Sequence, residues 1–311
     1  GWTVFTVMQT GGIAAVCVAF AKFAAILCPL ISSNIKLFSF HGFSISTLQA
    51  VAIALLITIT YINSKGVKAG VTVQNIFTAA KIVSLLAIII FGLCFGLNPQ
   101  IIAENMAHTP SHPDHINVLS LVAIALVGAL FSSDAWNNVT FIAGEIKDAS
   151  KNLPRALLIG TGIVTILYLL TNLTYLSALS IESIKTAPED LVAASLIGTV
   201  MGSGGKIVIT LIVMVSAIGC ANGMILAGAR LFYAMAKDGL FFSKLAKLNE
   251  DTHVPTNSLM LQCFWASILV LSGSYSELLD YVIFAALLFY ILTVGGLFVF
   301  RRKYPDIPRP Y

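Results

Sequence analysis

Apolar runs of about 20 residues recur along this chain, and such a run has few alternatives to crossing a bilayer, because about 30 Å of hydrocarbon takes about 20 residues of helix. Eight are read, at about 2–31, 46–63, 72–97, 116–144, 156–180, 205–229, 256–273 and 277–300. They are too long and too uniformly apolar for barrel strands, which alternate in segments of about ten residues. The expected fold class is all-α integral membrane, with eight transmembrane helices. Composition agrees: the chain is 58% hydrophobic and 10% charged, with a mean hydropathy of +0.91, where a soluble domain carries roughly 25% charged residues. No soluble segment remains to carry an enzyme, and hydrolysis, phosphoryl transfer and nucleic-acid binding find no support.

The cations fix an expected orientation. Alternating the loops puts Lys65 and Lys68, then Lys147, Lys151 and Arg155, then Arg230, Lys237, Lys244 and Lys247, then Arg301, Arg302, Lys303 and Arg309 on one side, 13 of the 18. The positive-inside rule makes that side cytoplasmic, so both ends of the fragment are expected in the cytoplasm of a multi-pass plasma or inner-membrane protein. Short loops point to one domain over 1–311. The external stretch 98–116 is longer, and 181–205 is expected to hold a short external helix along Leu191–Val200. The span beginning almost at Gly1 and the stop at Tyr311 suggest a protein cut at both ends. The cysteines Cys17, Cys28, Cys94, Cys220 and Cys263 all fall in the proposed spans, giving no disulfide framework or zinc motif.

Ionisable residues inside spans are functional candidates, because an unpaired charge at the bilayer centre costs about 2.5–3.5 kcal/mol even on the lenient insertion scale. Lys81 lies about 13 Å along the third span, at about 1.5 Å per residue, with Gln74, Thr78 and Ser84 on nearly the same face. That stripe is expected to face the bundle interior, where Lys81 can cycle a proton or stand where a cation would sit; the alternative is a lysine snorkelling to the cytoplasmic surface. The fourth span holds Phe131-Ser132-Ser133-Asp134-Ala135-Trp136-Asn137-Asn138. Its Ser, Asp and Asn side chains compete with helical backbone bonds, so the helix is expected to open here, or else to run on with these groups bonded to neighbouring helices. In the sixth span Ser216, Gly219, Cys220, Asn222 and Gly223 form a small, polar patch, open to helix packing and to binding alike. Asp280 reads as interfacial and Lys22 as snorkelling outward.

Other signals are set aside. His108, His112 and His115 lie in a Pro-rich external loop and are read as solvated rather than as a metal site. Gly202-Ser203-Gly204-Gly205-Lys206 lacks the first glycine and the Ser/Thr of a phosphate loop. The sequons at Asn138 and Asn172 lie within spans. No cofactor or metal is expected.

At three places the sequence resembles the amino acid-polyamine-organocation superfamily, and within it the L-type amino-acid transporter branch, bacterial type: Gly66-Val67-Lys68-Ala69-Gly70 through Val73-Gln74-Asn75 to Thr78-Ala79-Ala80-Lys81; Phe131 to Asn138 with Asn152-Leu153-Pro154; and Asn222-Gly223 through Ala229-Arg230-Leu231-Phe232 to Lys237-Asp238-Gly239. The resemblance implies a twelve-helix fold with a five-plus-five inverted repeat, of which these spans are helices 3–10, the first two and the last being absent. It implies that the substrate amino group meets opened backbone at Phe131, Ser132, Ser133, Asp134 and Ala135, that Phe131 gates the substrate, and that Lys81 fills a sodium-like site, making transport sodium-independent. Asp134-Ala135 stands where animal members are expected to have a glycine pair, which suits a cationic or small polar substrate or caps the broken helix. Animal members pair with a glycoprotein through a cysteine in the loop after helix 3; here that loop, 31–46, has none, so no disulfide-linked accessory subunit is implied.

The expected function is therefore secondary amino-acid transport by alternating access, as exchanger or proton-coupled carrier, with Cys220 and Asn222 joining the substrate residues and Ser216 joining Lys81 in coupling. The alternatives are a carrier of polyamines or other amine metabolites, and a non-transporting scaffold or receptor. A channel would need a continuous polar lining that the isolated polar patches do not supply.

Overall fold

Helix dominates the chain because a backbone in hydrocarbon must satisfy its own N–H and C=O groups. The structure, a computed structural model, is described for residues 1–40, 43–107, 117–187, 192–272 and 275–306. A π-helical turn, Val4–Gln9, leads into α1 (Thr10–Leu27); then come a hairpin of β1 (Lys36–Phe40) and β2 (Phe43–Ser46), α2 (Thr47–Ser64), α3 (Val67–Phe95), the short α4 (Pro99–Ala107), α5 (Val118–Ser132), a 3₁₀ segment (Trp136–Glu145) and α6 (Ala149–Ala178). The short α7 (Ile181–Lys185), α8 (Val192–Lys237), α9 (Thr256–Ser272) and α10 (Tyr275–Lys303) complete it. Among the described residues seven helices are long and apolar enough to cross a membrane, and α9 is apolar at 17 residues. The chain is a multi-pass membrane protein whose helices follow the eight apolar runs.

The structure departs from the sequence reading in two places. The loop after α1 is not plain connection but an antiparallel hairpin, Lys36 opposite Ser46, and Ser46 then caps α2 in a reciprocal box with Gln49. Cys28, expected inside the first span, is the C-cap of α1 and stands at the start of the connection to β1, since Pro29 cannot continue the helix. The helix expected along Leu191–Val200 is found from Val192 up to a non-helical Gly202 at φ 66°, beyond which α8 continues. His108, His112 and His115 lie outside the described residues.

The core forms around α1. Every residue from Thr10 to Val18 is buried, because small side chains let neighbouring backbones come close. A β-carbon on Gly11 would stand 2.7 Å from Val282 Cγ2 of α10, and one on Gly12 2.5 Å from Met224 Cε of α8. Around this axis Leu56 of α2, Ile225 of α8 and Leu259 and Val270 of α9 are buried together. Two glutamines clasp α8: Gln9 Nε2 donates to Met224 O at 2.8 Å and Gln262 Nε2 to Ile225 O at 3.1 Å. Gly228 passes between them, and any side chain there runs into Gln262 Oε1 and Gln9 Cγ.

Gly228→Leu is therefore expected to abolish most of the monodisperse peak in detergent size-exclusion chromatography, since inserting bulk in a filled core costs about 1–3 kcal/mol or more. Gly295→Ala, where a β-carbon meets nothing within 4 Å, is expected to keep that peak. Equal profiles for the two variants would sink the account of the clasp.

Candidate functional site

The site begins where α5 stops. Ser133 has φ −98° and ψ 3°, Asp134 N turns back to Phe131 O at 3.2 Å, and Ala135 sits at φ 64°, after which the chain continues as 3₁₀ rather than α-helix. The helix is thus open at Ser133–Ala135, deep in an apolar span. Two tyrosines hold the opening from other helices. Tyr168 of α6 donates to Ser132 O at 2.9 Å, and Tyr290 of α10 donates to Asp134 Oδ1 at 2.6 Å. The serine hydroxyls turn inward on their own helix: Ser132 Oγ donates to Ala129 O and Ser133 Oγ to Ala129 O, each at 2.9 Å. Ser133, Asp134 and Trp136 on one side, with Gly160, Thr165 and Tyr168 of α6 on the other, line a cavity of about 730 Å³. Small-molecule sites span roughly 300–1,000 Å³. Phe131 packs against the α1-centred core beside Ala217 and Cys220.

A second cluster lies on the seam between α3 and α8. Asn63 Nδ2 at the end of α2 donates to Asn222 Oδ1 at 2.8 Å, while Asn222 Nδ2 donates to Gly70 O at 3.1 Å and Gln74 Oε1 at 3.0 Å. Asn222 is fully buried and Asn63 nearly so. The network registers α3 on α8, and about two turns on, the same α3 face lays Lys81 Cε 3.3 Å from where a β-carbon of Gly219 would stand. Lys81 is half-buried and turned toward α8. The stripe is not wholly internal: Thr78 is exposed, and Ser84 donates back to Ala80 O. Ser216 is half-buried on α8.

The structure therefore brings Ser132, Ser133, Asp134 and Ala135 together along the cavity, with Phe131 turned to the core and Cys220 on α8 next to Gly219, which Lys81 approaches. Asn222 is instead enclosed in an amide network and does not line the cavity. Asp280 is exposed near the start of α10. Sequence reasoning missed Asn63, Tyr168 and Tyr290. Each had a signal: a polar group within or at the end of an apolar run, which in a membrane needs a partner.

The amino acid permease family profile matches residues 3–311. The large neutral amino acids transporter small subunit 2 of Mus musculus is 33% identical over 276 residues, covering 85% of this chain and 49% of that protein; the Homo sapiens counterpart gives the same figures. The b(0,+)-type amino acid transporter 1 of Mus musculus is 29% identical over 313 residues, covering 99% of this chain and 60% of that protein. The chain thus spans about half the length of the first of these relatives and three-fifths of the last. A profile match along nearly its whole length, joined to an opened transmembrane helix at Ser133–Ala135, leads to one conclusion: this chain belongs to the amino acid permease family.

Proposed function

We propose that the protein carries amino acids across the plasma or inner membrane by alternating access, as a sodium-independent exchanger or a proton-coupled carrier. The observation that carries this reading is the opened helix. Released backbone groups and helix ends at membrane depth present dipoles to a zwitterion, and irregular backbone is tolerated there where it is buried in protein or lines a cavity. The cavity beside Ser133–Ala135 supports this. So do the names of the relatives, which are amino-acid transporters. In this reading residues 1–311 form a single transporter unit, its spans are helices 3–10 of the twelve-helix fold, both ends of the fragment are cytoplasmic, and the branch is the bacterial type.

Within that frame Phe131, Ser132, Ser133, Asp134 and Ala135 bind the substrate, Cys220 flanks it, and Lys81 takes the place of a coupling cation with Ser216 beside it. Asn222 contributes by registering α3 on α8. The protein is read as working without a disulfide-linked subunit, since loop 31–46 carries no cysteine. Asp134 supports a preference for amino acids with a cationic side chain. It equally supports a second reading, transport of polyamines or other amine metabolites.

Two outcomes are expected in proteoliposomes holding the full-length protein. Labelled L-amino acids are taken up in preference to D-forms without sodium, and Lys81→Ala lowers the rate at least tenfold. If no amino acid moves while the protein is folded and inserted, and putrescine or spermidine does, the amine reading replaces the first. Asp134→Asn is expected to raise KM for L-arginine and L-lysine about tenfold, the scale of one charge-assisted contact, and to leave L-leucine within about twofold. Equal changes for both classes would remove Asp134 from side-chain recognition.

A further inference from the structure

We propose that Tyr290 is the positioning residue for Asp134, and that through it α10 sets the preference for substrates whose side chain carries a cation. The inference rests on reading the opening at Phe131–Ala135 as the substrate site. Asp134 stands in a turn where Ala135 is left-handed and the helix has ended. The polar neighbours Ser132 and Ser133 are occupied by carbonyls of their own last turn, so neither holds the carboxylate. The hydroxyl of Tyr290 does, across 156 residues of sequence, at 2.6 Å. That length belongs to a charge-assisted O–H···O⁻ bond.

Tyr290 is itself held in place. It is half-buried, its ring centroid lies 6.5 Å from that of Trp136, and the Asn137 side chain approaches the same hydroxyl. The 3₁₀ segment and α10 thus grip each other through three side chains on either side of one carboxylate. A carboxylate offers about four lone-pair sites. Tyr290 takes one on Oδ1, and the remaining acceptor capacity stays available to an ammonium or guanidinium group entering the cavity that Asp134 lines. Without the hydroxyl the side chain is free to spread over its rotamers, and a cation must then order it on binding. A neutral side chain makes no demand on the carboxylate and is indifferent to that loss.

The test is Tyr290→Phe in the full-length protein, beside wild type and Asp134→Asn, with KM and kcat for L-arginine, L-lysine and L-leucine in proteoliposomes. Tyr290→Phe is expected to raise KM for the two cationic substrates about tenfold, with kcat for all three and KM for L-leucine within about twofold. The ligand-induced rise in unfolding temperature of purified protein, measured with L-arginine and with L-leucine, gives the same comparison without transport. If Asp134→Asn shifts the cationic-to-neutral ratio and Tyr290→Phe leaves it at the wild-type value, the proposal for Tyr290 is overturned and the substrate site stands. If neither variant moves the ratio, the reading of Asp134 fails and Tyr290 with it. A Tyr290→Phe effect of equal size on L-leucine marks a merely structural residue and overturns the proposal.

Discussion

The close approach of α1 to its neighbours is the contact on which the rest of the bundle depends. Hydrophobicity cannot hold two helices together in lipid, since the tails are as apolar as leucine, so association rests on van der Waals packing and polar bonds. The Thr10–Val18 stretch supplies the first through Gly11, Gly12 and the alanines, and Gln9 supplies the second by donating to Met224 O. That pins α8 at Met224 while Gln262 pins it at Ile225, the two meeting at Gly228. With α8 fixed, Asn222 and Gln74 register α3 upon it, and Lys81 follows. On its opposite face α1 receives Val282 against Gly11, and eight residues along α10, about 12 Å at 1.5 Å per residue, Tyr290 reaches Asp134. Both polar clusters thus hang on the same small-residue helix.

The opened segment carries strain that this framework holds. Ala135 at φ 64° is in a conformation that costs an L-residue with a β-carbon roughly 1–2 kcal/mol, and Asp148 at φ 49°, the N-cap of α6, follows the far end of the 3₁₀ run. Aspartate tolerates that conformation better than alanine does. A 3₁₀ stretch of ten residues is unusually long for its poorer hydrogen bonds, so Trp136–Glu145 is held between two left-handed residues by contacts to α6 and α8 rather than by its own ladder. Strained backbone of this kind persists where the surroundings over-determine it, and it clusters at ligand clamps and switches.

The spans were legible because their signal is local: length and apolarity act within one segment, and a bilayer leaves helix as the answer. The opening at Ser133–Ala135 was legible for a similar reason, since Ser, Asp and Asn compete with their own backbone. Partners were not. Nothing in the run around Tyr290 says which helix faces it, because the bond to Asp134 depends on how α10 crosses α1, and that crossing is set by glycine contacts far along the chain. Asn222 is a similar case: beside Gly219 and Gly223 it reads as part of a binding patch, and nothing local shows that Asn63 and Gln74 enclose it from two other helices. The hairpin after α1 was lost because strand pairing lives between segments, and Cys28 was misplaced because the last turn before Pro29 was counted as span.

What distinguishes the opening from an ordinary helix end is which groups are left to answer a ligand. A carbonyl freed in hydrocarbon is costly unless something donates to it, and Tyr168 meets that need at Ser132 from a helix that also walls the cavity. Tyr290 does the same for a side chain, from a helix on the far side of the break. Both tyrosines carry one hydroxyl on a rigid ring, and a hydrogen bond weakens steeply as its angle is lost, so both bonds depend on where α6 and α10 hold those rings.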